Sequence, residues 1–231
     1  MSLSLLSKVA KKKAASWRRS LRHPAKDPDE EQPRPFGLRL GGFVEFDETP
    51  FILAAALDPN LPATLETKQI IEARLWFERD GVRSDWFVLS DGETSIFVVT
   101  ERQTPADIFV LRKVDEIHPA DEDDWLFWLS EEDGFIGLPA IETPDGTEFS
   151  RIWDPGDERI EPYTYEETFV DKSGASEQVR RDCMMYARPI DPEGPDETLE
   201  YLLVSCLDAD DEAWVEIHRG IALGEGMVTG I

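Results

Sequence analysis

The sequence predicts an α+β fold, an antiparallel-β-rich single domain with one or two helices, preceded by a basic N-terminal segment. Short runs rich in β-branched and aromatic residues alternate with turn signals, which is typical of antiparallel strands. Only two stretches of the body have helical features, and the seven Trp and twelve Phe suffice for one core. We therefore predict a basic segment with its linker at 1–34 and an acidic globular domain at 35–231.

Charge separates these two parts of the chain. Residues 1–26 hold eight of the 24 Lys and Arg residues and no acid, whereas all 49 Asp and Glu follow them. The net charge of -25 disfavours nucleic-acid binding by the body and favours basic partners. We therefore expect a protein partner with a basic surface, and no nucleic acid.

The basic segment has an apolar stripe at helical spacing. Its members are Leu3, Leu6, Ala10, Ala14, Trp17 and Leu21. Cations fall on the opposite side, a pattern typical of a helix that makes weak contact with an anionic membrane surface or a partner. The side chains expected to make this contact are Leu6, Lys11, Trp17, Arg18 and Arg19. A disordered tail, or a helix that docks on the protein's own acidic body, remain alternatives.

The linker and the first half of the body come next. Pro-rich, charged residues 24–35 predict the linker. A strand with a Gly-Gly bend is predicted at 38–47, and the Ala-rich stretch 49–60 predicts a short helix. Residues 69–101 predict three strands, joined at Asp80-Gly81 and Asp91-Gly92. Residues 107–117 fit a strand or a helix, and a strand is favoured.

A second helix is predicted in "DEDDWLFWLSEEDGFIG", between Asp121 and Gly134. Trp125, Trp128 and Leu129 recur at helical spacing and predict a core-facing side. Carboxylates in the first turn would cap free N–H groups and complement the helix dipole. The same carboxylates also allow a metal or catalytic cluster, and the capped helix is the simpler interpretation.

The rest of the body predicts more strands. A hairpin turns at Asp145-Gly146, and four strands follow at 159–171, 177–190, 199–208 and 213–223. The total is nine or ten strands with no internal linker long enough to divide them, so one antiparallel domain is expected.

Familiar catalytic motifs are absent from the sequence. It has no phosphate-binding glycine loop, no nucleophile elbow and no metal spacing among its three histidines. Cys183 and Cys206 lie in apolar runs, which predicts buried, reduced thiols of an intracellular protein. We therefore predict no catalytic residue, no cofactor and no metal ligand. No apolar run approaches the length of a membrane span.

Several segments resemble a bacterial family of uncharacterised proteins whose members include YjfK. They include "FGLRLGGFVEFD", "MMYARPI" and "VEIHRGIAL", and the most specific are Gly137-Leu138-Pro139, Asp145-Gly146, Arg151 and Trp153. The resemblance extends from about Phe36 to Leu223 and leaves out the basic segment. It implies no established activity, only a weak association with envelope functions. We expect Arg151 to pair with an acid of the second helix.

These observations favour a non-catalytic binding or accessory protein of the bacterial cytoplasm. Its basic segment would allow a peripheral association with the inner face of the membrane. The alternative is a carboxylate-based or divalent-metal-dependent hydrolase, motivated only by the abundance of acids. A deep pocket with convergent carboxylates would favour the hydrolase, and an evenly acidic surface would favour the binding protein.

Overall fold

A computed structural model describes residues 34–58, 61, 66–79, 81–102, 104–130, 132–171, 176–191, 198–209, 212–224 and 226–231. Its helices are α1 (Thr49–Leu57) and α2 (Glu122–Leu129). Its strands are β1 (Phe43–Phe46), β2 (Lys68–Arg79), β3 (Val82–Leu89), β4 (Thr94–Glu101), β5 (Thr104–Ile117), β6 (Ala140–Glu142), β7 (Glu148–Arg151), β8 (Tyr163–Asp171), β9 (Ser176–Pro189), β10 (Leu199–Ala209), β11 (Glu212–Leu223) and β12 (Val228–Gly230).

Eight of these strands form a closed antiparallel ring in the order β2-β3-β4-β5-β11-β10-β9-β8, with β8 pairing back to β2. Closure leaves no long sheet edge unpaired in the ring, which removes a common route to aggregation. β1 and β12 extend the ring where β2 begins, and β6 and β7 extend it where β9 ends. A register shift between Ile71 and Ala73 marks where β2 passes from β1 to β8, and such bulges bend a strand.

The inside of the ring is an aromatic core. Its side chains come from strands all around the ring: Leu75, Phe77, Trp86, Phe97, Phe109, Leu111, Cys183, Met185 and Leu203. The residues that alternate with them on the same strands face outwards. Those outward apolar residues must be covered, and two separate sets of elements cover them.

One outer core lies under α1, β1 and β12. Phe51 and Ala54 of α1 are buried there against the outward face of β2 to β5 and β11. The chain enters this core through Pro35 and Leu38, which are both buried. α1 and the N-terminal end of the described chain therefore pack into the same core.

The other outer core lies under α2 and the β6–β7 hairpin. Trp128 packs there with Phe149 and Tyr186, and Trp125 and Leu129 are half-buried at its edge. The predicted core-facing side of this helix is confirmed.

A buried ion cluster joins the two covers. Glu200 is fully buried and accepts bonds from Arg188 Nε at 2.7 Å and from Arg219 Nε at 2.6 Å. Arg188 also pairs with Asp58, just after α1, and Arg219 pairs with Asp145 in the β6–β7 turn. The cluster therefore ties both covers to β9, β10 and β11.

Residues that carried the family resemblance fix the loops beside α2. Gly137 has φ +103, and a Cβ there would lie 1.9 Å from the Ile160 carbonyl oxygen, so only glycine fits. Its N–H donates to the Tyr186 hydroxyl at 2.8 Å. Arg151 donates to the carbonyls of Gly137, Asp154 and Gly156. The expectation that Arg151 pairs with an acid of the helix was therefore wrong.

The predicted antiparallel, β-rich body with two helices is confirmed. The described chain has 12 strands rather than nine or ten, since very short ones such as β12 show no periodicity in the sequence. α2 ends at Leu129, short of the predicted stop at Gly134. Cys183 and Cys206 are both buried, as predicted, and they form no disulfide.

Candidate functional site

Inside the ring, charged side chains meet beside the aromatic core. Lys113 Nζ lies 2.8 Å from Glu116 Oε2 and 3.7 Å from Glu216 Oε1. Arg181 Nη1 lies 3.7 Å from Glu216 Oε2, and its guanidinium lies 4.6 Å above the Trp86 ring. Two cations thus face two carboxylates, so this interior polar cluster balances its own charge.

Two further polar groups border the cluster. His218 meets Trp86 edge-on, with 5.0 Å between the ring centroids. His218 Nδ1 and Ser205 Oγ are buried without a hydrogen-bond partner in the part of the chain that the structure describes. Buried atoms of this kind carry a desolvation cost, because they lose their hydrogen bonds to water.

The environment fixes the charge of His218 and Glu216. Burial, reinforced by Arg181 and Lys113, lowers the pKa of His218 to about 4, so its ring is neutral near pH 7. Burial opposes ionisation of Glu216, but the surrounding positive charges and a bond from Trp214 outweigh it and lower that pKa. Because His218 is neutral there, Arg181 and Lys113 are the cations that keep Glu216 ionised.

The chemistry of this cluster is structural. It joins β5, β9 and β11 through ion pairs, in which its two cations and two carboxylates face one another. Over the described ranges, no three His, Cys, Asp or Glu side chains converge as metal ligands do. We assign the cluster to the ring's stability.

The acidic stretch before α2 forms a cap. Asp121 Oδ1 accepts from the Asp124 N–H at 3.0 Å, and Asp124 Oδ2 accepts from the Ala120 N–H at 3.0 Å. Glu122 and Asp123 complete an acidic first turn that complements the helix dipole. The predicted capped helix is confirmed.

The outer side of α1 is an exposed apolar surface in the part of the chain that the structure describes. Ile52, Leu53 and Leu57 are 47%, 61% and 51% exposed, although the opposite side of the same helix is buried. A helix that is apolar all round is normally covered on every side. Large exposed apolar residues grouped on one element mark interaction sites more often than scattered ones do. We call these three residues the α1 face.

Carboxylates lie at the start of the α1 face. Asp47 and Glu48 are exposed immediately before the helix, and Glu45 is exposed on β1. Asp47 accepts from the Thr49 N–H at 2.8 Å and its hydroxyl at 2.6 Å, which holds the pKa of this carboxyl below its usual value. This end of the α1 face is therefore negative at neutral pH.

The residues predicted to make membrane or partner contacts lie outside the described residues. They are Leu6, Lys11, Trp17, Arg18 and Arg19. The structure places only the point where their segment joins the body, at Pro35 and Leu38 in the core under α1. Among the described residues, no helix is both long and apolar enough to cross a membrane.

A family model of proteins of unknown function, DUF2491, matches residues 6–229. The chain belongs to this family. The DUF2491 match begins inside the basic segment, upstream of Phe36, where the expected resemblance begins. In DUF2491 the basic segment is part of the shared sequence. No curated protein and no solved structure is significantly similar to the chain.

Sequence reasoning missed the interior polar cluster and the α1 face. Lys113, Arg181 and Glu216 come from three strands, and only the ring pairing brings them together. A signal was present: each stands in a strand otherwise rich in apolar residues. For α1, the signal was an apolar stretch, "FILAAAL", with no polar side.

Proposed function

We propose that this protein is a non-catalytic binding protein whose α1 face receives a basic, amphipathic segment of a protein partner. The observation that carries the proposal is the exposure of Ile52, Leu53 and Leu57 on a helix whose other side is already buried. Their exposed area resembles the grooves and faces on which amphipathic helices dock.

The negative charge of the body favours a partner with a basic surface. The body carries 45 of the chain's 49 acids, and Asp47 and Glu48 stand at the start of the α1 face. A partner that presents apolar side chains flanked by Lys or Arg would satisfy both features, with charge guiding the approach. We propose that the partner is a protein and not a nucleic acid.

A hydrolase gains no specific support from the site. Its expected mark was a deep pocket in which carboxylates converge. Several described acids are used in ion pairs and caps, and Asp154, Asp157 and Glu158 line only an open hollow on the surface. We further propose a cytoplasmic location and kinship with the bacterial YjfK-like proteins, supported by the order of the matching segments from "FGLRLGG" to "VEIHRGIAL".

The test is photo-crosslinking in the native cell with the full-length chain. Benzoylphenylalanine replaces Leu53 on α1 or, as a control, Leu126 on α2, which is also an exposed leucine. We expect position 53 to form an adduct with a protein that contains a basic amphipathic segment, and a synthetic peptide of that segment to suppress it. The proposal fails if positions 53 and 126 give the same adducts, or if position 53 reaches no other protein.

A further inference from the structure

We propose that the chain's own N-terminal segment, residues 3–21, occupies the α1 face when no partner is bound, so that a partner must displace it. This inference rests on the proposed function, because both occupants use the same surface. It makes the protein self-inhibited rather than constitutively open.

The two surfaces are chemically complementary. The segment carries Leu3, Leu6, Trp17 and Leu21 on one helical side and its cations on the other. The α1 face offers exposed apolar side chains with carboxylates at its start. Docking would bury apolar area on both sides and bring the basic residues to an acidic body.

The attachment point makes an intramolecular contact possible. Leu38 holds the chain in the core that also holds Phe51 and Ala54 of α1, and Pro35 is buried just before it. Residues 24–33 form the tether, and at about 3.3–3.6 Å per extended residue it spans up to about 35 Å. A domain of this size has a radius of gyration of about 16 Å, so the segment reaches α1 without strain.

The tether also favours the segment of the same chain over that of a second copy. A short linker that can span two sites gives the attached segment an effective concentration far above that of other copies in dilute solution. The family match supports a role inside the domain, because it extends from the globular body into the segment as far as residue 6.

The experiment uses the purified full-length chain with benzoylphenylalanine in place of Leu53. On illumination we expect mass spectrometry to find adducts with peptides from residues 1–26. The same replacement at Leu126 is the matched control, because that side chain is also exposed on a helix. Adduct yield at position 53 should fall with added salt and drop several-fold with Leu6→Glu and Trp17→Glu together.

Each other outcome overturns the inference. Equal yields at positions 53 and 126 would mean that the segment has no preferred site. Adducts that link isotopically light and heavy chains in a mixture would assign the α1 face to a second copy. Binding of the segment to phosphatidylglycerol vesicles, with no adduct at position 53 before they are added, would make it a membrane contact.

The inference and the proposed function fail in different ways. Crosslinks from position 53 in the purified protein detect only the N-terminal segment, whereas crosslinks from position 53 in the cell detect a partner. If Leu6→Glu and Trp17→Glu leave the cellular adduct unchanged while the purified chain gives none, the partner site stands and self-occupation falls. If adducts in both settings involve only residues 1–26, self-occupation stands and the partner falls.

Discussion

The two helices cover opposite parts of the same ring, yet only α2 is explained by the protein itself. α2 has a side-chain cap at Asp121 and buries Trp128. Its exposed Phe127 stacks on Phe135 with 5.4 Å between the ring centroids. α1 buries Phe51 and Ala54 but leaves three large aliphatic side chains about half exposed or more.

This difference distinguishes a helix that only covers the core from a helix that also exposes an apolar surface. Phe127 of α2 reaches solvent but stacks on Phe135 of the same chain, so folding accounts for it, and Leu126 is the one other large apolar side chain of α2 that is exposed. The exposed residues of α1 add nothing to the core beneath them, and folding alone would permit polar residues there. This exposure is the observation that supports the proposed binding role.

The largest expected effect on stability comes from removing a buried aromatic side chain of α2. Trp128→Ala should lower the free energy of unfolding by about 3–5 kcal/mol, because it empties a buried aromatic site. Leu53→Ala on α1 is the matched change and should stay within about 0.5 kcal/mol, as exposed substitutions do. Urea unfolding measures both. A loss of less than about 1 kcal/mol for Trp128→Ala would mean that α2 does not seal the outer core.

The next prediction concerns the pH dependence of stability, which is set in the ring that lies under both helices. The pKa of His218 is about 4 in the folded chain, below the ordinary 6.5, because of burial. The unfolded chain therefore binds the extra proton as the pH falls through 6.5, and stability declines until about pH 4, by up to about 3 kcal/mol.

Urea unfolding of His218→Gln provides the control for this pH dependence. The variant should lose the part of the decline between pH 6.5 and 4 that belongs to the histidine. Parallel stability curves for the two proteins over that range would show that His218 titrates normally in the folded ring.

A smaller effect concerns how α2 begins. Asp121→Ala should cost about 1 kcal/mol, because the Asp124 N–H loses its acceptor. Asp123→Asn, which removes a first-turn charge but no cap, should cost only about 0.3–1 kcal/mol. Thermal unfolding compares the two. A larger loss from Asp123→Asn, or tight calcium binding abolished by it, would restore the metal interpretation of this stretch.

The smallest expected effect on stability belongs to the α1 face. Leu53→Gln with Leu57→Gln keeps good helix formers and, compared in the Leu6→Glu, Trp17→Glu chain in which the N-terminal segment no longer covers α1, should change the free energy of unfolding by less than about 0.5 kcal/mol. The same double variant should lose the partner adduct when the photo-crosslinker stands at Ile52. A loss above about 2 kcal/mol would show that these leucines belong to the core, and the contrast between α1 and α2 would then not hold.

Most elements of the fold could be predicted from the sequence, because local patterns determine them. Asp91-Gly92 and Asp145-Gly146 form the predicted turns, and Asp121 forms the predicted cap. Closure of the ring could not be predicted, since the pairing of β8 with β2 joins strands almost a hundred residues apart with no local signal. The α1 face was missed for a related reason: composition identified the helix, but only packing shows which apolar side chains stay exposed.

Hydrogen exchange of the α1 amides tests the central claim most directly. The full-length protein is compared with the Leu6→Glu, Trp17→Glu variant, and α2 serves as the internal reference. An occupied α1 face predicts that residues 49–57 exchange faster in the variant while residues 122–129 do not change. Equal exchange of α1 in the two proteins would contradict the claim that the N-terminal segment covers this face.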